Sequence, residues 1–194
     1  AVTGTGVSGN SAQLNWQPDP GVATRLSAAA PALQTDSFGF SVWINPVFLN
    51  AGDVILSKEM NFDNSIANFL RKSWQLQVLG SGKLELIIRG DNRSLGDFFG
   101  AVQSTATLTL QSDTPDWIHV AGGYDSVTGA VSLYVNGSAD FTAGSPGATS
   151  SDGAPLSIGT QRNGADFIEF AAGAQIDEVQ VFDAPLVADE VAFL

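Results

Sequence analysis

The chain has 194 residues, 44% of them apolar, which suits one all-β domain spanning residues 1–194. Eight basic against twenty acidic residues give a net charge of -12, which disfavours nucleic acid and anionic membrane surfaces as partners. With no cysteine, the chain has no disulfides, thiolate catalysis or cysteine zinc sites. No apolar run is long enough to cross a membrane, so we expect no membrane insertion.

Short runs of alternating apolar and polar residues, separated by turns, predict an antiparallel all-β fold. In the segment from 130 to 135, Val131, Leu133 and Val135 share one face while Ser132 and Tyr134 share the other, so one face is buried. A two-sheet antiparallel β-sandwich follows. The predicted strands are residues 38–45, 54–58, 74–79, 83–89, 105–110, 117–124, 130–135, 156–158, 167–170 and 175–182.

At most one short C-terminal helix is predicted. Residues 185–193 carry apolar side chains at helical spacing, and Asp183 precedes them in a capping position. Three connections are longer than hairpin turns require, at residues 59–73, 91–100 and 143–153. Because long ordered loops on a sandwich often carry function, we look for binding residues there.

Seven segments, in order along the chain, resemble the laminin-G-like jelly roll of the concanavalin-type lectin and glucanase superfamily. The resemblance covers residues 8–194 and implies a jelly-roll arrangement of the two sheets. Its most specific pieces are the W-x-H-V-A strand at Trp117, the hairpin ending in L-Y-V-N-G, and I-D-E-V followed by L-x-x-x-E-V. The segments are SFGFSVWINP, ILSK, WQLQV, GKLELIIRG, DWIHVAGGYDSVTGAVSLYVNG, PLSIGT and IDEVQVFDAPLVADEV.

The chain also resembles the pentraxin-like branch, whose signature strand carries His, Cys, Trp and Ser. His119, Ala121, Tyr124 and Ser126 stand at those places, so the cysteine and the tryptophan are replaced. What this resemblance implies is the sandwich and a calcium-binding loop. His119 is the sole histidine and cannot form a zinc site by itself, so we expect it to pack within the sheet.

The pentraxin-like pattern places an adjacent Asp-Asn pair on calcium in the loop after the ILSK strand. A second set of oxygen donors follows the PLSIG strand, where the family has its remaining ligands. Hard oxygen ligands from different loops suit calcium, although Asp and Asn also favour ordinary solvated turns. The candidate metal ligands are Asp63, Asn64, Gln161, Asn163, Asp166 and Glu169.

Asp177 is a separate candidate for a structural calcium. It shares strand parity with Val179 and Val181, which predicts that its carboxylate points toward the buried face and needs a partner there. The superfamily resemblance implies a calcium at this I-D-x-V position, aided by backbone carbonyls of the opening strand. Alternatively, the carboxylate accepts backbone N–H bonds and ties the sheet edge.

Polar residues of one loop and the tryptophans are candidates for sugar binding. Trp43 has the opposite parity to Phe40, Val42 and Ile44 and could face an open surface, whereas Trp117 fits the core. Packing is the ordinary role of such side chains. The predicted hydroxyl-binding residues are Arg89, Asp91, Asn92 and Arg93.

No catalytic pattern is present in the sequence. Cleavage of a glycosidic bond needs two carboxylates facing one sugar, whereas Glu85 stands alone between apolar residues and Glu178 has no acidic neighbour on its own face. Nucleophile elbows, phosphate loops and zinc-protease motifs are also missing. We therefore expect a protein that is not an enzyme.

These features together predict a non-catalytic, lectin-like carbohydrate-binding recognition module, assisted by calcium and located outside the cell or on its surface as part of a larger protein. Its partner would be a glycan or polysaccharide. The alternatives are a calcium-stabilised adhesion module that binds an extracellular protein and, in second place, a polysaccharide-cleaving enzyme.

Overall fold

A computed structural model describes most of the chain, and every structural statement below concerns this part of it. Among these residues no helix is long and apolar enough to span a membrane. The described residues are 2–6, 9–13, 26–28, 37–58, 73–90, 98–108, 116–141, 156–159, 161–163, 166–168 and 173–194.

The described residues form β-strands and one short helix, α1 (Ala188–Val191). The strands are β1 (Val2–Gly6), β2 (Gly9–Gln13), β3 (Leu26–Ala28), β4 (Phe38–Phe48), β5 (Val54–Lys58), β6 (Ser73–Val78), β7 (Lys83–Gly90), β8 (Phe98–Thr107), β9 (Ile118–Tyr124), β10 (Val131–Val135), β11 (Ser138–Ala139), β12 (Leu156–Ile158), β13 (Gln161–Asn163), β14 (Asp166–Ile168) and β15 (Gly173–Phe182).

Two large antiparallel sheets face each other. The seven-stranded sheet has the order β1-β2-β15-β4-β9-β10-β11, and the six-stranded sheet has the order β3-β12-β5-β6-β7-β8. Strands β13 and β14 pair as a separate hairpin. The predicted two-sheet jelly-roll β-sandwich with one short helix is confirmed.

The core lies between the two sheets and is built from the alternating inward residues of both. Trp74 on β6 is stacked on Phe38 and Phe40 of β4, with ring centroids 4.7 and 5.5 Å apart, so it joins the sheets through aromatic contact. Side chains with essentially no exposure belong to the same core as these rings. They include Ile44, Leu56, Leu76, Leu84, Leu86, Ile88 and Leu133.

The C-terminal segment covers part of the outer face of the seven-stranded sheet. Leu186 and Val191 pack there against Tyr134 and Ala121. The strand beneath must approach closely, because a Cβ at Gly39 would lie 2.6 Å from the carbonyl oxygen of Ala184. The short helix therefore acts as a cap on the sheet.

Three sequence predictions need correction. Strand β8 begins at Phe98, not at residue 105, because its pairing with β7 starts at Gly90. Strands β1 to β3 were not predicted, since the first 30 residues lack a clear alternation. Helix α1 is capped by Val187 and not by Asp183: the Val187 N–H donates to Glu190 Oε2 at 3.0 Å, while Asp183 is exposed.

Candidate functional site

The outer face of the six-stranded sheet carries polar side chains on three neighbouring strands. Leu76, Leu86 and Val102 are register partners on β6, β7 and β8 and lie in the core. Because side chains alternate along a strand, the residues next to them point away from the core. We call four of these residues the amide–carboxylate row: Gln75, Gln77, Glu85 and Gln103.

Hydrogen bonds link the whole amide–carboxylate row. Gln75 Nε2 donates to Gln77 Oε1 at 2.7 Å, and Gln77 Nε2 donates to Glu85 Oε2 at 2.7 Å. From the other side, Gln103 Nε2 donates to Glu85 Oε1 at 2.9 Å. Both carboxylate oxygens of Glu85 are therefore held by amides from the two adjacent strands.

The row passes from a buried end to a half-buried end. Gln75 is 3% exposed and Glu85 is 9% exposed, whereas Gln77 and Gln103 are half-buried. The carbonyl oxygen of Gln75, Oε1, is buried and has no hydrogen-bond partner among the described residues. A buried acceptor without a donor is energetically costly, so we expect a water molecule or a ligand group to donate a hydrogen bond to it.

Small and apolar side chains flank the row on the same face. Ile87 is the register partner of Gln75 on β7, and Ala101 is the partner of Ile87 on β8. On the other side of Gln75 lies Ser57 of β5. The face thus combines a few placed polar groups with an apolar floor, as small-ligand sites commonly do.

Sequence analysis missed three of these four residues and judged Glu85 to be isolated. The signal was present in part, since Gln75, Gln77 and Gln103 each alternate with core residues on their strands. What could not be read was the register that sets Glu85 opposite both Gln77 and Gln103, the latter 18 residues away.

Most of the predicted loop ligands lie outside the described residues. This holds for Asp63, Asn64 and Glu169 of the calcium prediction and for Asp91, Asn92 and Arg93 of the sugar prediction. Four others have a described backbone only, at strand positions. These are Arg89 on β7, Gln161 and Asn163 on β13, and Asp166 on β14.

The hairpin of β13 and β14 brings two predicted calcium ligands into register. Asn163 and Asp166 are Cα partners at its turn. Strand β12 runs antiparallel to β5, with Leu156 beside Lys58 and Ile158 beside Leu56. The hairpin follows the Ile158 end of β12, whereas the chain leaves β5 at Lys58. The segment with Asp63 therefore starts at the opposite end of β5 from the hairpin, about 13 Å away at 3.3 Å per residue.

Asp177 does not share the face of Val179 and Val181, which corrects the parity prediction. Asp177 is paired with Trp43 and Val181 with the core residue Phe40, with a register shift between Asp177 and Gln180. Glu178 has a φ of 47° at this bulge, and one extra residue reverses the alternation. The half-buried Asp177 therefore lies on the outer face of the seven-stranded sheet, where its Oδ1 accepts a hydrogen bond from the Glu178 N–H at 3.0 Å.

The surroundings of Asp177 fit a hard cation in part. Asn45 lies on the same face of β4, and its buried Oδ1 has no hydrogen-bond partner in the described part of the chain. Strand β2 is also adjacent, pairing with β15 up to Ala12 and Ile176, so its backbone carbonyls are near. Within the described residues there is no group of three or more His, Cys, Asp or Glu that could hold a metal, so amide and backbone oxygens would have to complete a site.

His119 is packed within the sheet, as predicted. It is 4% exposed, its Nε2 lies 2.8 Å from Ser41 Oγ, and burial lowers its pKa. Trp43 contacts it with ring centroids 5.0 Å apart and is half-buried on the outer face, also as predicted. The prediction that Trp117 lies in the core is wrong, since Trp117 is half-buried, and among the described tryptophans Trp74 is the one in the core.

The arrangement described above defines a β-sandwich of the concanavalin type. Residues 20–192 match a laminin-G-like family model described as the Concanavalin A-like lectin/glucanases superfamily. The chain belongs to this family. A search of curated proteins finds no match.

Solved structures with the same fold share little sequence with this chain. A heptameric SAP-like pentraxin from Limulus polyphemus matches with a TM-score of 0.61 and 17% identity over 93% of this chain and 78% of the pentraxin. The CBM40 of Ruminococcus gnavus IT-sialidase, bound to alpha2,6 sialyllactose, matches with a TM-score of 0.64 and 15% identity over 94% and 92% of the two chains.

A third structure is domain 4 of AbnA, an extracellular arabinanase of Geobacillus stearothermophilus, in complex with arabinotriose. It matches with a TM-score of 0.58 and 18% identity over 98% of this chain and 79% of that chain. At these identities the likeness establishes the fold.

Proposed function

We propose that this chain is a non-catalytic carbohydrate-binding module of a secreted or cell-surface protein. The observation that carries the proposal is the amide–carboxylate row on the outer face of the six-stranded sheet, whose buried Gln75 Oε1 has no partner in the described part of the chain. Amides and carboxylates are the groups that bond sugar hydroxyls. Two proteins with this fold carry oligosaccharides in their structures, sialyllactose in one and arabinotriose in the other.

The bonding of Glu85 supports binding in preference to catalysis. Glycosidases use two carboxyl groups, roughly 5 to 9.5 Å apart, one of which exchanges a proton with the substrate. The cross-strand neighbours of Glu85 are glutamines on both sides, and their amides occupy its two oxygens. Such a carboxylate is suited to orienting amides and hydroxyls.

Calcium is part of the proposal, at either of two places. The first is the loop set of Asp63, Asn64, Gln161, Asn163, Asp166 and Glu169. It requires residues 59–63 to run back toward the hairpin of β13 and β14, and five extended residues span about 17 Å, enough to cover the length of β5. The second is Asp177 with Asn45 and carbonyls of β2. Bound calcium would neutralise these carboxylates and stiffen the surface around them.

The net charge of -12 agrees with neutral or cationic partners and not with polyanions. We propose a glycan as the partner, since the polar groups of the site are few, at least half-buried and placed in register. The rival partner, an extracellular protein, would need a broader contact surface.

A glycan array probed with the labelled full chain, with and without EDTA, tests this function. We expect binding to a restricted set of glycans, reduced when EDTA removes calcium. A silent array together with binding to an extracellular protein would favour the adhesion module. Release of reducing ends from a bound polysaccharide would instead identify an enzyme.

A further inference from the structure

We propose that the amide–carboxylate row is itself the sugar subsite and that it selects neutral, hydroxyl-rich sugars over sugars that carry a carboxylate. This inference rests on the proposed carbohydrate-binding function and adds the place and the chemical class of the ligand. It follows from the direction of the hydrogen bonds in the row.

Glu85 sets the orientation of every amide in the row. An ionised carboxylate accepts hydrogen bonds and donates none, so Gln77 and Gln103 must turn their NH₂ groups toward it. The carbonyl oxygen of Gln77 then faces Gln75, which must donate a hydrogen bond to it from its own NH₂ group. The Gln75 carbonyl is therefore forced to point elsewhere. Flipping this amide would bring two carbonyl oxygens together, so the usual ambiguity between amide oxygen and nitrogen does not arise here.

The group of the row that still lacks a hydrogen-bond partner is therefore an acceptor. Gln75 Oε1 is buried and has no donor among the described residues, and the two oxygens of Glu85 add further acceptor capacity next to it. A ligand must bring hydrogen-bond donors to this place. Sugar hydroxyls do so, whereas an ionised carboxylate offers acceptors only and would meet like charge at Glu85.

The flanking residues suit the second property of a sugar ring, its apolar face of C–H groups. Ile87 and Ala101 lie in register beside Gln75 on the same side of the sheet. The approach is from Gln77 and Gln103, the half-buried end of the row. Ile87 is 3% exposed and offers almost no surface, so the ring would contact the half-buried Ala101 and direct its edge hydroxyls at Glu85 and Gln75.

Two cations share this side of β7 by parity, since Lys83 precedes Glu85 by two residues and Arg89 follows it by four. Glu85 lies between them on the strand and is the one charged member of the row, so an anion that reaches the row meets a carboxylate there. The charge of the whole chain acts in the same direction.

The test compares the full chain with four variants on an array that holds both neutral and sialylated glycans, with arabinotriose and sialyllactose as soluble probes of the two classes. Glu85→Gln keeps the size of the side chain but places an NH₂ group against the amides that now donate to it. Gln77→Ala removes the link between Gln75 and Glu85. Gln180→Ala, on an exposed position of β15 in the other sheet, is the matched control.

We expect the wild type to bind neutral glycans, and both row variants to lose about tenfold to a hundredfold in affinity while the control is unchanged. Thermal unfolding of each variant verifies that it is folded. Gln103→Lys, which adds a cationic donor at the half-buried end, is expected to gain binding to sialylated glycans, a result that loss of folding cannot mimic.

Three outcomes would overturn the proposal, and each has a different meaning. If no glycan binds to the wild type, the carbohydrate-binding function fails together with the subsite. If neutral glycans bind equally to the wild type and to folded row variants, the chain binds carbohydrate but the amide–carboxylate row is not the binding site. Preferential binding of sialylated glycans that Glu85→Gln improves or leaves unchanged would reject the chemical class.

Discussion

His119 Nε2 lies 2.8 Å from Ser41 Oγ, with both side chains buried on the outer face of the seven-stranded sheet. The two residues are on adjacent strands, β9 and β4. On the same face, His119 pairs in register with Trp43 of β4, and Trp43 pairs with Asp177 of β15. Burial lowers the pKa of His119 because its charged form would lose hydration. The imidazole is therefore neutral in the folded protein near pH 7.

The free energy of unfolding should decrease as the pH falls below 6.5. In the unfolded chain His119 takes up a proton near the ordinary value of 6.5, whereas the folded form binds it only at lower pH, so acid favours unfolding. The contribution of one proton cannot exceed about 1.4 kcal/mol per pH unit. Urea denaturation at pH 7.5, 6.5 and 5.5 measures it.

His119→Gln retains a hydrogen-bonding side chain but cannot titrate in this range. It should be less stable than the wild type at pH 7.5, and the difference between the two should shrink toward pH 5.5. A constant difference at all three pH values would show that His119 is not the responsible group.

Millimolar calcium should raise the Tm of the wild type. A ligand that binds only the folded state stabilises it by mass action, by about 2.7 kcal/mol when its concentration is 100 times the Kd. Differential scanning calorimetry with calcium and with EDTA provides the measurement. An unchanged Tm in both conditions would reject both proposed calcium sites.

Two variants separate the calcium sites. Asp63→Ala should reduce the rise in Tm caused by calcium while leaving the Tm in EDTA close to that of the wild type. Asp177→Ala should lower the Tm even in EDTA, since its Oδ1 accepts the Glu178 N–H at the bulge of β15. If Asp177→Ala keeps the wild-type Tm, this residue holds neither the bulge nor a structural ion.

Asp140 follows β11 of the seven-stranded sheet and is hydrogen-bonded to the end of β8 in the six-stranded sheet. Its carboxylate accepts hydrogen bonds from the backbone N–H groups of Thr105 and Ala106, each at 3.0 Å, and from the Thr105 hydroxyl. Asp140→Ala should therefore cost about 1 to 3 kcal/mol of unfolding free energy, measured by urea denaturation. The exposed Asp183 is the control, and Asp183→Ala should change stability by less than about 0.5 kcal/mol. Equal losses at the two positions would contradict the role of Asp140.

Trp74 should be the most costly tryptophan to replace among those whose side chains are described. It is buried and stacked on Phe38 and Phe40, so Trp74→Ala removes contacts that connect the two sheets and leaves a cavity. A loss of about 3 to 5 kcal/mol is typical of such a change. The half-buried Trp117 provides the comparison, and similar losses for Trp74→Ala and Trp117→Ala would place the core elsewhere.

The positions of strands were predictable where local alternation is strong. Strand β5 was predicted with its full bounds, and β9, β10 and β15 to within two residues, because each is a short run of apolar and β-branched residues bounded by turn residues. Strand β8 was misplaced, since its bounds depend on pairing with β7 and not on its own pattern.

The face of Asp177 could not be predicted for a related reason. The face of a side chain is assigned from the sequence by counting residues along the strand. A bulge inserts one residue that has no counterpart on the partner strand, so the count is wrong after it. Glu178 can take a positive φ without any warning in the local composition, and from that point on every assignment of a side to a residue is reversed.

Period-two alternation, the order of seven segments and the charge of -12 were sufficient to predict from sequence a concanavalin-type sandwich and to disfavour polyanionic partners. Only the tertiary structure decided that Glu85 is flanked by Gln77 and Gln103, and that the Gln75 carbonyl is left without a donor among the described residues. The physical reason is that hydrogen bonds across a sheet join residues by register, which depends on strand pairing and bulges along the whole fold.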